Sequence, residues 1–278
     1  MKVPDQIRKC VVYLGRRKPD GTEELMGTGF LVARPLNRDT NPAIGSSHLS
    51  IAYLVTAKHI IDGIGIADSF EVLIRFNFKD GQARWVSSRL SDWKYHPSEA
   101  ATVDIAVLPL QGIGLNVDHG VFPILGFATS ERIAIEEIGL GEETFIVGLF
   151  ANHYGNAKNI PVVRIGNIAA MLEEKVATQL GLIDAYLIEA RSIGGLSGSP
   201  VFVNLGKVRE HGGNVKYHTS SAIYLLGLIH GHYDTEDERA RDVNMGIAMV
   251  VPAVKILEVL DQEDFVNYET QLRKRHKG

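Results

Sequence analysis

Short apolar runs, each ended by Gly, Pro, Asn or Asp, recur along most of the chain. Runs of about four to eight apolar and alternating residues between such turn signals are typical of β-strands. The pattern predicts one strand pair around the turn Lys18–Thr22 and another around Lys79–Gly81. Further predicted strands are Tyr53–Thr56, Phe145–Leu149, Val162–Ile168, Ala185–Ile188, Val201–Val203, Ile223–Ile229 and Met245–Val251.

Helix is predicted in few places. Met171–Gly181 is expected to form a brief helix, and Pro252 is expected to open a closing helix, where its fixed φ suits the first position. Many short strands, with helix mainly at the C-terminal end, predict an antiparallel all-β architecture. A linker with several Gly over Leu110–Phe127 divides the strands into two halves. We therefore expect three segments that act as one unit, 1–118, 119–251 and the helical 252–278.

Composition and charge exclude several classes of partner. The chain of 278 residues has a formal charge of −4 and 45% hydrophobic residues. A nucleic-acid-binding surface is expected to be basic, and the one dense basic run, Arg273–Lys277, suits the C-terminal end of a helix. No run approaches the ~18 apolar residues of a membrane span. Neither a nucleic acid nor a membrane is therefore an expected partner, and the oligomeric state stays open.

Cysteine usage bears on the compartment. Cys10 is the only cysteine, so no disulfide can form within the chain. The first residues also lack the apolar core of a signal peptide. Both features favour a reducing environment, and a cytoplasmic location is expected.

The stretch Gly194–Pro200 reads Gly-Gly-Leu-Ser-Gly-Ser-Pro and lies between two apolar runs. Glycines on both sides of Ser197 let the backbone turn sharply without a Cβ penalty. Such a turn can aim consecutive N–H groups at one point, as an oxyanion hole requires. A plain Gly/Ser loop between strands is the alternative, so the interpretation depends on what precedes the loop.

Two earlier stretches supply an imidazole and a carboxylate. His59 ends a β-rich run, and Asp104 opens an apolar one. A serine hydroxyl is a weak nucleophile unless a base accepts its proton and a third group orients that base. His59, Asp104 and Ser197 fit those roles. Asp92 and Asp118 are rival acids, but neither opens an apolar strand.

Four short motifs follow one another along the chain. They are Gly27-Thr28-Gly29-Phe30, Thr56-Ala57-Lys58-His59, Asp104-Ile105-Ala106-Val107-Leu108 and Gly195-Leu196-Ser197-Gly198-Ser199-Pro200. In this order and at these separations, the sequence resembles the chymotrypsin-like (trypsin-like) serine peptidases, from about Val11 to about Val259. The resemblance implies a double six-stranded antiparallel β-barrel with a C-terminal α-helix. It places His59 and Asp104 in the first barrel and Ser197 in the second.

The resemblance also implies a role for each residue of a serine endopeptidase. Ser197 is the nucleophile, His59 the general base and Asp104 the group that orients His59. The N–H groups of Gly195 and Ser197 would form the oxyanion hole. No cofactor and no metal are expected, and the substrate is a protein or peptide. Leu196 replaces the Asp that pairs with a newly cut N-terminus in secreted zymogens, so the site is expected to form without processing.

Substrate preference is the third implication. Family geometry puts Arg191 at the floor of the S1 pocket, with His230 and His232 along one wall. These groups would favour an acidic P1 side chain by charge pairing. An offset of one residue would instead turn Arg191 outward as an ordinary surface charge.

Three other interpretations fit parts of the chain less well. The run His230-Gly231-His232-Tyr233-Asp234 resembles the start of a zinc hydrolase motif, but Thr235 stands where that motif has a third His. An α/β-hydrolase would need Gly at position 199 and its His after the Ser. The remaining alternative is a peptidase-like fold without catalysis, used as a binding or regulatory module.

Overall fold

The computed structural model describes residues 2–36, 50–65, 70–110, 112–178, 180–190, 195–218, 222–234 and 244–275. The strands of the first half are β1 (Val11–Arg17), β2 (Glu23–Pro35), β3 (Ser50–Thr56), β4 (Glu71–Asn77), β5 (Ala83–Arg89), β6 (Lys94–Tyr95), β7 (Ala106–Pro109) and β8 (Phe122–Pro123). They form one eight-stranded sheet in the order β5-β4-β1-β2-β3-β7-β6, with β8 beside β2. The predicted pairs around Lys18–Thr22 and Lys79–Gly81 are confirmed as β1/β2 and β4/β5.

The strands of the second half are β9 (Glu143–Gly148), β10 (Val162–Ala170), β11 (Val176–Thr178), β12 (Gly181–Ile183), β13 (Tyr186–Glu189), β14 (Pro200–Asn204), β15 (Val208–His211), β16 (Asn214–Tyr217), β17 (Ile223–Asp234) and β18 (Asn244–Pro252). Six of them close into a barrel in the order β10-β13-β18-β17-β14-β9. The other four form two separate hairpins, β11–β12 and β15–β16. The predicted all-β architecture is confirmed.

Helices are short and lie outside the sheets. The α-helices are α1 (Asp5–Lys9), α2 (Lys58–Gly65), α3 (Ser130–Glu136), α4 (Ala253–Leu260) and α5 (Glu263–Arg275), and short 3-10 helices span Leu90–Asp92, Ile124–Gly126 and Ala151–His153. The closing helix begins one residue later than expected, because Pro252 is the extended N-cap of α4 and not its first residue, and a second helix follows it. Among the described residues, no helix combines the length and the apolar character needed to cross a bilayer.

Two expectations need adjustment. The brief helix over Met171–Gly181 was wrong, because that segment contains β11 and the start of β12, which pair through Thr178 and Gly181, and Gly181 adopts a φ of +96°. Only glycine takes such a conformation at little cost. The first sheet also reaches past the predicted boundary at Asp118, since Phe122 pairs with Val32 in parallel.

A continuous apolar core joins the two halves. Phe122 of β8 lies edge-on to Phe202 of the barrel, with ring centroids 5.0 Å apart, and Phe202 stacks on Phe145 at 5.1 Å. The C-terminal helices pack back on the first sheet, where the Tyr53 hydroxyl donates a 2.8 Å hydrogen bond to Glu269. The same core cluster contains residues of the first sheet, the barrel and α4. Side chains from the two halves are thereby held in a fixed relation.

Candidate active site

His59 and Asp104 form a doubly hydrogen-bonded pair. His59 is the second residue of α2, shortly after β3, and Asp104 lies in the loop before β7. The His59 backbone N–H donates to Asp104 Oδ1 at 2.8 Å, and His59 Nδ1 lies 2.7 Å from Asp104 Oδ2. An ionised carboxylate only accepts hydrogen bonds, so Nδ1 carries the proton. His59 Nε2 is therefore left as the basic nitrogen.

Asp104 is ionised in spite of its burial. The residue is only 2% exposed. Burial raises the pKa of Asp104, but the hydrogen bonds that it accepts from His230 and His59 outweigh burial and hold its pKa well below the usual range. The site thus contains a fixed negative charge that can stabilise a protonated His59.

A second imidazole shares this carboxylate. His230, in β17, has its Nδ1 2.5 Å from Asp104 Oδ2. The rings of His59 and His230 meet edge to face, with centroids 5.8 Å apart and an interplanar angle of 87°. His230 was expected to line the S1 pocket, which stays a prediction, and its Nδ1 also contacts Asp104. No local sequence signal indicates this contact, because His230 and Asp104 lie 126 positions apart.

The loop that carries Ser197 depends on glycines with positive φ. Gly195 adopts +96° and Gly198 adopts +76°. A Cβ on Gly198 would stand 2.2 Å from the Thr28 carbonyl oxygen and 3.0 Å from Ala57 N. The Gly198 N–H also donates to Ile229 O at 2.8 Å. The loop is thus packed directly against the residues that lead into His59.

Strand β2 holds this loop from the other half of the molecule. The Thr28 N–H donates to Ser197 O at 3.1 Å, and the Thr28 hydroxyl donates to Gly195 O at 2.9 Å. The same hydroxyl accepts a 2.8 Å hydrogen bond from Leu149 N. Thr56 adds a 2.7 Å bond from its hydroxyl to Thr28 O. In the sequence Thr28 belongs to the motif Gly27–Phe30, but nothing in that motif indicates this role.

The expected oxyanion-hole donors have no protein acceptor in the part of the chain that the structure describes. Among the described residues, neither the Gly195 N–H nor the Ser197 N–H donates a hydrogen bond to a protein acceptor. Both can therefore donate to an oxygen from outside the chain. Leu196, between them, is fully buried in the core of the barrel. It cannot form the zymogen-type ion pair, as expected.

The predictions for the pocket residues, for the Ser197 hydroxyl and for the rival acid Asp118 remain to be compared with the structure. Arg191 and the side chain of His232 lie outside the described residues, so their part in a pocket stays a prediction. Ser197 is half-buried, and no hydrogen bond joins its hydroxyl to His59 in the described part of the chain. Catalytic hydrogen bonds such as this one are often long in unliganded enzymes and tighten only when substrate binds. Asp118, a rival acid, forms a 2.8 Å ion pair with Lys9.

A second cluster of ionisable groups lies elsewhere, between the turn before β7 and α4. Buried His96 has its Nε2 2.7 Å from Glu258 Oε2, and its Nδ1 accepts a 3.0 Å hydrogen bond from Glu99 N. Lys255 Nζ donates to Glu99 at 2.6 Å and to Glu258 at 3.2 Å. This cluster links α4 to the first half of the chain and has a structural role.

Comparisons with known proteins support the fold. No protein-family model and no curated protein sequence matches the chain. Among solved structures, the crystal structure of the MamO protease domain from Magnetospirillum magneticum, in its apo form, superposes with a TM-score of 0.53 at 14% sequence identity. The match covers 92% of this chain and 98% of that chain. The fold is therefore chymotrypsin-like; at this identity the likeness shows the fold alone.

Proposed function

We propose that the protein is a serine endopeptidase with His59, Asp104 and Ser197 as its triad. The observation that carries the proposal is the double hydrogen bond from His59 to Asp104, at 2.8 and 2.7 Å. That bond fixes both the ring orientation and the tautomer that a general base requires. The Ser197 loop, packed on the residues before His59, supports the same conclusion.

The proposed reaction proceeds through an acyl-enzyme. Ser197 Oγ attacks the scissile carbonyl carbon while His59 Nε2 accepts the hydroxyl proton, and the ionised Asp104 stabilises the imidazolium. The developing oxyanion accepts hydrogen bonds from the Gly195 and Ser197 N–H groups. His59 then donates its proton to the leaving amine, and a water molecule hydrolyses the ester by the same steps in reverse order.

Substrates are proposed to be proteins or peptides with an acidic P1 residue. Arg191 is the cationic group proposed for the pocket, with His230 and His232 along its wall. Because His230 Nδ1 is bonded to Asp104, only its Nε2 remains to face a substrate. Cleavage of a mixed peptide library by the full chain tests both the peptidase activity and the preference for an acidic P1 residue. Cuts after Asp or Glu, absent with Ser197→Ala, are expected; cuts after aromatic or basic residues would contradict the P1 preference.

The cytoplasm is the proposed compartment. Cys10 is buried, and burial raises the pKa of its thiol to about 12, so the thiol stays protonated and inert. A fold that needs no disulfide suits a reducing environment. Fractionation of cells that make the tagged full chain tests the location, and recovery of the chain in the culture medium would contradict it.

A non-catalytic binding or regulatory module is the second candidate. It is favoured by the missing hydrogen bond between Ser197 and His59 in the described part of the chain. The two candidates differ in one respect, because only a peptidase must hydrolyse the library. A well-folded chain that leaves every peptide intact would favour the module.

A further inference from the structure

We propose that His59, Asp104 and His230 bind a divalent transition-metal ion of the zinc class, and that the bound ion switches off the serine chemistry. The binding site is argued from geometry alone, whereas the switch rests on the proposed peptidase function. The three residues are called the imidazole–carboxylate cluster below.

The cluster contains one imidazole more than a serine peptidase uses. A triad requires a single imidazole on its carboxylate, yet Asp104 Oδ2 lies 2.7 Å from His59 Nδ1 and 2.5 Å from His230 Nδ1. His230 comes from the opposite half of the molecule, in a strand of the closed barrel. Its position on Asp104 has no part in the proton transfers proposed above.

Two imidazole nitrogens and one carboxylate oxygen form a ligand set that zinc-class ions favour. The three ligand atoms all lie within 4.8 Å of one another. Zinc sits about 2.0–2.2 Å from such ligands, and three protein ligands leave a fourth position for water or another small ligand. Asp104 is buried, but the side chains of His59 and His230 are 43% and 14% exposed, so an ion can reach the cluster from solvent.

Metal binding reverses the tautomer that catalysis needs. In the metal-free site each imidazole carries its proton on Nδ1 and donates it to Asp104. An ion bound at Nδ1 requires each neutral ring to carry that proton on Nε2 instead, with no net release of protons. His59 Nε2 would then be a donor and could not accept the Ser197 proton. Occupancy and serine reactivity are therefore mutually exclusive.

The cluster at His96 provides a matched control. It also contains a histidine and carboxylates within ligand distance of one another. However, Lys255 Nζ already lies among those carboxylates, 2.6 Å from Glu99 and 3.2 Å from Glu258. The lysine ammonium supplies the positive charge there, so this second cluster is not expected to bind a divalent ion.

Titration of the full chain with Co²⁺, followed by its visible absorption and then by displacement with Zn²⁺, tests the site. The wild type and Ser197→Ala are expected to bind one equivalent. His230→Gln keeps an N–H for Asp104 but removes the metal ligand, so affinity should fall by at least about tenfold, since even outer-shell changes cost that much. His96→Gln should bind as the wild type does. Equal affinity of the wild type and His230→Gln, or no binding at one equivalent, would overturn the site.

The switch is tested by the rate at which a fluorophosphonate, which reacts only with an activated serine, labels the wild type. Zn²⁺ is expected to lower that rate in proportion to occupancy, and EDTA to restore it. Labelling of the zinc-saturated protein at the metal-free rate would overturn the switch. If the metal-free protein failed to label, both the proposed function and the switch would be contradicted. The cobalt titration of Ser197→Ala would still decide whether the metal site exists, because it does not depend on serine reactivity.

Discussion

The two parts of the candidate site are built in different ways. On the His59 side, side-chain hydrogen bonds set the geometry, because the Asp104 carboxylate bonds both the backbone and the ring of His59. On the Ser197 side, the backbone sets it, because Gly195 and Gly198 have positive φ and Thr28 holds their loop. The first part depends on the side chains of His59 and Asp104, whereas the second depends on glycines, which have no side chain, held in place by Thr28. Substitutions should therefore disturb the charge and hydrogen bonding of the site in the first part, and the backbone conformation of the nucleophile loop in the second.

The largest expected effect is that of Asp104→Asn. The amide can donate to His59 Nδ1 and so favour the wrong tautomer, and it carries no charge to stabilise the imidazolium. The fluorophosphonate labelling rate should fall by about 10⁴-fold, as the corresponding change does in the best-studied triad. Glu99→Gln, outside the site, is the control. A loss smaller than about tenfold would mean that His59 is not oriented by Asp104.

The same variant has a predictable dependence of stability on pH. The pKa of Asp104 is lowered in the folded state, so its contribution to the free energy of unfolding is fully present above the ordinary value of 3.8 and is lost as the pH falls through the lower folded-state pKa. Urea unfolding of the wild type and of Asp104→Asn should therefore show a difference at pH 7 that narrows below pH 3.8. A difference that does not depend on pH would contradict the assignment.

Gly198→Ala is expected to have the next largest effect, and it should lower both the labelling rate and the free energy of unfolding. The backbone at position 198 has a φ of +76°, which alanine rarely adopts, and a Cβ there would stand 2.2 Å from Thr28 O. Displacement of the loop from the oxyanion geometry should lower the labelling rate by about 10²–10³-fold. Gly21→Ala is a matched control, because Gly21 has a φ of +85° with nothing within 4 Å. If both variants lost the same stability and neither lost labelling, close packing of the loop would be disproved.

Thr28→Val should lower activity less than Gly198→Ala does. It keeps the shape of the side chain but removes the hydroxyl that bonds Gly195 O and Leu149 N. The buried Leu149 N–H would lose its partner, at a cost of about 1–3 kcal/mol in the free energy of unfolding, and the partly buried Gly195 O would lose its partner at a smaller cost. We expect kcat for peptide cleavage to fall while KM stays unchanged, because the loop is displaced only around Ser197. Thr28→Ser should restore kcat, and failure to do so would exclude the hydroxyl as the cause.

Ser199→Ala is expected to have the smallest effect. The Ser199 hydroxyl is buried and has no hydrogen-bond partner among the described residues. Its removal should leave the labelling rate unchanged and raise the free energy of unfolding by about 1 kcal/mol, the cost of an unpaired buried polar group. Urea unfolding measures the change. A marked loss of stability would show that the hydroxyl has a partner after all.

The sequence allowed the His59 side to be predicted well and the Ser197 side only in outline. Thr56–His59 and the run from Asp104 are local motifs whose strands pair directly, with Thr56 opposite Ala106. Local residue types were therefore enough to bring the two side chains together. The contacts of Thr28 with Gly195 and of His230 with Asp104 join residues 167 and 126 positions apart. No local pattern specifies such contacts.

The fold shows the same limit. Apolar alternation located most strands, because alternation reflects which face of a strand is buried. It could not show that the second half closes into a barrel while the first forms a sheet with β8 added in parallel. Closure depends on the register between strands that are distant in sequence. The mistaken helix at Met171–Gly181 has a local cause, since strands of three residues are too short to show a clear periodicity of either kind.

The central claim is that His59 and Asp104 activate Ser197, and intact-mass analysis after fluorophosphonate treatment tests it most directly. The wild type and Ser197→Ala would be treated in parallel with EDTA present, and folding would be checked by urea unfolding. The account predicts a single adduct on the wild type and none on Ser197→Ala. A well-folded wild type without an adduct, or an adduct that persists on Ser197→Ala, would contradict it.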